Sequence, residues 1–293
     1  MKIALYARDI ELKWRDRFCL IVRMLHEKGA SLTYYRPLFQ RLKEEYLLSV
    51  PHGDTFNNGD DIYDNTDLLL CMGGDGTMLE SLPLLKGRPI PVAGVNFGRL
   101  GFLAGADLGT GSEWIEDLFS KRYFIERRML FKVSGDFLPK DFYPFALNEV
   151  AIQRRDPLMV SVNVRVDGKE LPTYWSDGLV LATPTGSTAY SLSIGGPIMF
   201  PGVKAMILAP IAPHNLNIRP LVLPETSEIE LSVTTKVAPA ILSLDNRSVS
   251  IPNGKILRVK RAEFDLNYIS FRENKFIDGL RNKLLWGEDK RNS

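Results

Sequence analysis

Apolar and polar positions follow two different rhythms along this chain, and the rhythm changes near residue 122. Before that point, buried-strand and helical patterns alternate. Residues 2–7 predict a strand, and 14–28 place Phe18, Ile21, Val22 and Leu25 on one helical face. Residues 38–48 show helical spacing again, while 57–64 are acidic and rich in Asn and Gly, which predicts a loop. Apolar strands follow at 68–72 and 91–95, with a helix-like stretch over 78–85. Strand and helix in alternation argue for a parallel sheet with helices on its faces.

After residue 122, short strands separated by turn signals dominate. Val160-Ser161-Val162-Asn163-Val164-Arg165-Val166 alternates strictly, and Asp167-Gly168 then supplies a type I′ hairpin turn. Asn253-Gly254 predicts a second hairpin, between strands at 248–251 and 255–259. Further strands are expected at 229–233 and 240–244, so this half reads as an antiparallel assembly. The expected division is 1–122, 123–270, and a tail of 271–293 with helical spacing over 275–286, packing back on the first domain.

Composition narrows the field by exclusion. With 293 residues, 45% hydrophobic, 25% charged and a formal net charge of +2, the chain carries no nucleic-acid or membrane signature. No run reaches the length of a membrane span, and Arg8, Asp9 and Glu11 interrupt any secretory apolar core. Cys19 and Cys71, both in apolar settings, read as free thiols in a reducing compartment, so a cytoplasmic protein is expected.

The candidate chemistry lies where the strand 68–72 runs into Gly73-Gly74-Asp75-Gly76-Thr77. A glycine turn between a strand and a helix N-terminus presents free amides and a favourable dipole to a phosphate. A P-loop is excluded because no Gly-Lys-Ser or Gly-Lys-Thr occurs. A dinucleotide fingerprint is excluded because Met78 and Leu79 stand where its third glycine belongs. A carboxylate among bound phosphates is repelled unless a metal or a substrate hydroxyl intervenes, and that pairing points to phosphoryl transfer. Geometry alone would also explain such a turn.

A second segment, Ser176-Asp177-Gly178 through residues 183–193, crowds hydroxyls, glycine and one Tyr after an apolar strand. Pro184 ends that strand, the Ser/Thr run can open a helix, and Gly195-Gly196-Pro197 stops it. An N-cap alone would account for Ser187 or Thr188, but not for the whole cluster. A serine hydrolase is excluded, since no Gly-x-Ser-x-Gly surrounds Ser187.

Gly73-Gly74-Asp75-Gly76-Thr77, Asn148-Glu149, Asp177-Gly178 and residues 183–190 occur in an order and spacing that resembles the ATP-dependent NAD kinases. Leu100-Gly101-Phe102-Leu103, Gly195-Gly196-Pro197, and Pro213-His214 through Arg219-Pro220 match as well, so the likeness covers residues 66–250. It departs at Phe200, where many relatives carry His, and at Trp175, where some carry a smaller or basic residue.

The resemblance implies a Rossmann-like α/β domain followed by an all-β sandwich, with the dinucleotide bound between them. It implies transfer of the ATP γ-phosphoryl group to the 2′-hydroxyl of the adenosine ribose of NAD. Asp75 would orient or deprotonate that hydroxyl, and Gly74, Gly76 and Thr77 would hold phosphates. NAD would meet Asp75, Gly76, Phe102, Asn148, Glu149, Asp177, Thr188, Ala189, Tyr190, Ser193 and Asp245, the last reaching a neighbouring subunit's ligand. No all-protein metal cage is visible, so a divalent metal, Mg²⁺ or alternatively Mn²⁺, would arrive with ATP. A homodimer or homotetramer is implied. A lipid kinase with the same turn, and a non-catalytic dinucleotide sensor, are the alternatives. His214 reads as structural, and Arg127 and Arg128 as solvated charges or partners of an acidic neighbour at a strand start, with a phosphate role for one of them as the alternative.

Overall fold

Residues 1–97, 101–103, 106–107, 112–271 and 275–284 are described by a computed structural model. The chain divides into two units, Met1–Arg127 with Leu266–Ser293, and Arg128–Asp265.

In the first unit the order is β1 (Lys2–Tyr6), α1 (Arg15–Glu27), β2 (Ser31–Tyr35), α2 (Arg36–Gln40), β3 (Asp54–Phe56), β4 (Leu68–Met72), α3 (Asp75–Leu85), β5 (Val92–Asn96), β6 (Ala106–Asp107) and α4 (Glu113–Phe119). The strands are parallel in the spatial order β3-β2-β1-β4-β5, with Ala4 registered against Thr33 on one side and Leu69 on the other. Strand order reverses between β1 and β4, and in open parallel sheets ligands bind outside the carboxyl ends at such a reversal. Every residue of β4 is buried, as expected of a central strand covered on both faces. The face of α1 foreseen from spacing (Phe18, Ile21, Val22, Leu25) packs into the core with Leu5, Leu32 and Leu70.

Two elements differ from expectation. The helix foreseen over 38–48 is α2 followed by a π-helical turn, Arg41–Glu45. Pro37 sits in its first turn, and Leu47 at φ 51° reverses the chain before residue 48. The helix foreseen from Met78 begins at Asp75, so the acid belongs to the first turn of α3.

The second unit takes in most of β7 (Phe124–Ser134), then β8 (Phe145–Ala146), β9 (Glu149–Gln153), β10 (Val160–Val166), β11 (Lys169–Glu170), β12 (Tyr174–Ser176), β13 (Gly178–Ala182), α5 (Tyr190–Ser193), β14 (Ala205–Ile211), β15 (Leu221–Pro224), β16 (Ile229–Thr234), β17 (Ala240–Leu244), β18 (Arg247–Ile251) and the start of β19 (Ile256–Ser270). One antiparallel sheet runs β15-β14-β13-β9-β17-β18. The other holds β11-β10-β16-β19, with β12 beside β10 and the β7–β8 pair beside β19. Val162, Leu231 and Leu257 of one sheet share a core with Ile152, Leu181 and Leu242 of the other, which makes the unit a β-sandwich. The fold is therefore the expected α/β domain plus all-β sandwich. The end of β19 pairs in parallel with β5 of the first unit, and α6 (Lys275–Leu284) closes the described chain; Trp286, part of the expected helix, lies outside the described residues.

The Asp167-Gly168 hairpin is present, pairing Val166 with Lys169 and Arg165 with Glu170. The Asn253-Gly254 hairpin is not. β18 pairs with β17 and β19 with β16, so the chain changes sheets at this turn. Asn253 is consumed by a tertiary role: its side chain accepts from the Thr235 amide and hydroxyl and donates to the Thr235 carbonyl. The 183–193 segment also differs, forming a 3₁₀ turn over Thr185–Thr188 and then the single turn of α5.

Candidate active site

The glycine turn stands at the carboxyl end of β4. The Cys71 thiol donates to Ser81 Oγ, whose own hydrogen goes to the Met78 carbonyl, so the strand and α3 are tied together behind the turn. Burial pushes that thiol up to about 12, which makes it a packing group. A Cβ on Gly73 would lie 2.3 Å from Thr77 Oγ1, so packing explains this glycine. Gly74 and Gly76 are different: among the described residues a Cβ on either would meet nothing within 4 Å, and both are exposed. Their bare backbones face open space at the N-terminus of an 11-residue helix. First-turn amides have no partner within their own helix, which suits an approaching anion.

Asp75 is half-buried, with its carboxylate engaged in the first unit. Oδ2 accepts from the Phe102 amide at 2.7 Å and Oδ1 from the Leu103 amide at 3.0 Å. A Cβ on Gly101 would sit 1.8 Å from Oδ1, so glycine is required where this segment crosses the acid. Leu100 of the same motif lies outside the described residues. Two amides take two of the roughly four acceptor positions of a carboxylate and leave the others for a hydroxyl. Sequence reasoning missed Lys283, whose Nζ lies 4.3 Å from the centre of the Phe102 ring. Burial lowers its ammonium to about 8, with the Asp75 charge acting in the opposite direction.

In the second unit, Asn148, Glu149 and Tyr190 are brought together. Glu149 and Ala182 are cross-strand partners, so the turn after β13 returns over the start of β9. Thr183 fastens it: its amide donates to the Asn148 carbonyl, its hydroxyl to the Leu147 carbonyl, and it accepts from the Gly186 amide. Tyr190 lies along β9, its phenol accepting from Gln153 Nε2 at 2.8 Å and its amide bonded to the Glu149 carboxyl. Glu149 Oε2 is buried with no hydrogen-bond partner among the described residues. Burial, and then the Asp245 carboxylate, push the Glu149 carboxyl up to about 8. Thr188 and Ala189 are half-buried beside Tyr190, and Ser193 is exposed.

Asp177 is not in this group. It precedes β13 at the opposite end from Ala182 and pairs with Arg154 at 3.0 Å. The expectation that Asp245 reaches a ligand meets a side chain with no exposed surface. Its carboxylate instead accepts from the amides of Leu147, Asn148 and Glu149 at 2.9, 2.8 and 3.2 Å. Burial raises its pKa, opposed by those amides and by Arg247, 3.7 Å away. Asp245 is therefore a support beneath the Asn148-Glu149 pair. Arg128 is buried rather than solvated, with Nη1 3.5 Å from Thr185 Oγ1 in the hydroxyl-rich turn. Ser187 is buried as well, donating to Pro184 and accepting from the Met199 amide, a structural role. Phe200 and Trp175 are both exposed.

Comparison with known proteins identifies the family. The ATP-NAD kinase N-terminal domain matches residues 21–123, and the ATP-NAD kinase C-terminal domain matches 147–271. The chain is 43% identical over 287 residues to an NAD kinase of Porphyromonas gingivalis, covering 98% of each. It is 36% identical over 294 residues to an NAD kinase of Bacteroides fragilis, covering 99% of this chain and 100% of the relative. Among solved structures, yeast NADH kinase complexed with NADH superposes with a TM-score of 0.89 at 26% identity, covering 100% of this chain and 89% of that one. An NAD kinase from Archaeoglobus fulgidus in complex with ATP gives a TM-score of 0.73 at 27% identity, covering 97% and 99%. A Rossmann-like unit with an acid in its glycine turn, joined to a sandwich of this kind, defines a nucleotide phosphotransferase. The chain belongs to the ATP-NAD kinase family, the enzymes that phosphorylate NAD.

Proposed function

We propose that this chain transfers the γ-phosphoryl group of ATP to the 2′-hydroxyl of the adenosine ribose of NAD, producing NADP and ADP. The observation that carries the site assignment is the open space in front of Gly74 and Gly76, which no neighbour among the described residues fills. Gly74, Gly76 and Thr77 hold phosphate oxygens through backbone amides and one hydroxyl. Asp75 accepts the 2′-hydroxyl proton as the new O–P bond forms and the γ-phosphoryl leaves its bridging oxygen on ADP. General-base action of this kind contributes on the order of 10² to 10⁴ in rate, and alignment contributes more.

Asn148 and Glu149 read the adenosine part of NAD. The orphaned Glu149 Oε2 supports this, because a buried acceptor without a donor is costly until a ligand hydroxyl supplies one. Thr188, Ala189, Tyr190 and Ser193 border the same site, Phe102 of the first unit is an apolar contact for the dinucleotide, and Asp177 serves a more distant part of it. Asp245 acts through the two residues it holds. A divalent cation enters as part of the ATP substrate. Among the described residues no cluster of three His, Cys, Asp or Glu stands ready to hold one, and Asp75 is the carboxylate at the turn.

Incubation of the purified chain with ATP, Mg²⁺ and NAD, followed by a coupled assay for NADP, tests the reading; absence of NADP overturns it. The same reading expects a homodimer or homotetramer, measurable by light scattering.

A further inference from the structure

Helix α6 turns one face toward the residue whose amide holds Asp75. Phe276, Gly279 and Lys283 recur at the three- and four-residue spacing that places side chains on one side of a helix. All three approach the Phe102 ring. The Phe276 ring centre is 6.1 Å from that of Phe102, in tilted packing. A Cβ on buried Gly279 would lie 3.2 Å from the edge of the Phe102 ring, so the helix can come this close because no side chain stands there. Lys283 Nζ completes the set at 4.3 Å from the ring centre, a cation over an aromatic face. The ring so gripped belongs to the residue whose N–H donates to Asp75 Oδ2, and the next amide, of Leu103, donates to Oδ1. These two amides constrain the remaining Asp75 lone pairs, and α6 packs against the ring of the residue that supplies one of them.

We propose that Lys283 is a positioning residue for phosphoryl transfer: its ammonium fixes the Phe102 ring, and the Phe102 and Leu103 amides fixed with it aim the Asp75 carboxylate at the acceptor hydroxyl. The inference rests on the role assigned to Asp75 above. It makes the C-terminal helix part of the catalytic apparatus of the first unit, through a residue distant in sequence from the glycine turn. Burial of the ammonium fits this role, because a cation–aromatic contact strengthens as water is removed.

The test compares Lys283→Met, Lys283→Arg, Asp75→Asn and the Lys283→Met/Asp75→Asn double variant by steady-state kinetics with ATP and NAD. Lys283→Met is expected to lower kcat about tenfold and to leave both KM values within about twofold. Lys283→Arg keeps a cation over the ring and is expected to recover most of the loss. The double variant is expected to be no slower than Asp75→Asn alone, because the two residues act as one unit. Full turnover by Asp75→Asn would refute the reading of the acid. An inactive Asp75→Asn beside a Lys283→Met with unchanged kcat would refute the Lys283 inference alone. A raised KM for ATP at unchanged kcat would refute it too, since Lys283 would then be a phosphate contact. If Lys283→Met fails to fold, Gly279→Ala decides: it keeps the charge, favours the helix, and drives a methyl against the Phe102 ring. A fall in its kcat without a fall in melting temperature supports the inference, and an unchanged kcat overturns it.

Discussion

Gly186 rests against Asn148 so closely that a Cβ on the glycine would stand 2.0 Å from the Asn148 carbonyl oxygen. That oxygen already accepts from the Thr183 amide at 2.9 Å, so the hydroxyl-rich turn is seated directly on the residues proposed to read adenosine. Gly186→Ala must push the turn off the strand, at a cost of about 1–3 kcal/mol. Thermal unfolding should show this loss together with a raised KM for NAD; a variant with neither change would mean that the turn and the strand are independent.

Asp75→Asn replaces an acceptor-only group with an amide whose nitrogen cannot accept from Phe102 or Leu103. Turnover is expected to fall by about 10² to 10⁴ while NAD binding, measured by calorimetry, persists. Retained turnover would show that Asp75 only clasps its loop.

Tyr190 spans β9 from Glu149 to Gln153. Tyr190→Ala should chiefly raise the KM for NAD. Tyr190→Phe removes only the Gln153 hydrogen bond, worth about 0.5–1.5 kcal/mol, and should bind NAD with a much smaller penalty. Equal KM values for the two variants would remove the ring from the pocket.

Glu149 makes stability depend on pH. Its folded pKa of about 8 lies above the ordinary 4.5, so the folded state holds its proton more tightly than the unfolded chain. The resulting stability is fully present below about pH 4.5 and is lost as pH rises through about 8. Glu149→Gln should flatten the urea midpoint against pH across this window and raise it at the alkaline end. A wild-type profile for the variant would show that the carboxyl is not the titrating group.

Asp245→Ala leaves three amides without their acceptor and the neighbouring Arg247 without its counter-charge. Breaking a buried charged cluster from one side costs about 3–5 kcal/mol. The variant should unfold at lower denaturant, whereas a change confined to subunit association would return Asp245 to a role at a partner's ligand.

How far these features were readable in the residues depended on their range along the chain. The glycine turn, the Phe18-Ile21-Val22-Leu25 face and the Asp167-Gly168 hairpin involve neighbours within a few positions, where steric rules and hydrophobic period act directly. Asn253-Gly254 had the same hairpin signature, yet here the pair makes a corner between sheets, because the Asn253 side chain is committed to Thr235, 18 positions away. Lys283 carried no signal, since a lysine in an amphipathic helix is ordinarily a solvated charge. Asp245 resembled an ordinary turn residue, and only the fold shows it buried beneath Leu147, Asn148 and Glu149.

Local order and residue chemistry were sufficient for an α/β half followed by an antiparallel half and drew attention to the acid in its glycine turn and the hydroxyl-rich segment, since these are short-range patterns. The sandwich itself came from the family resemblance. Which groups support those sites was decided in three dimensions. Asp245 reaches Asn148 across 97 positions, and Phe102 reaches Asp75 across 27. Such contacts form only when folding excludes water and brings distant strands into register, so no window of sequence contains them.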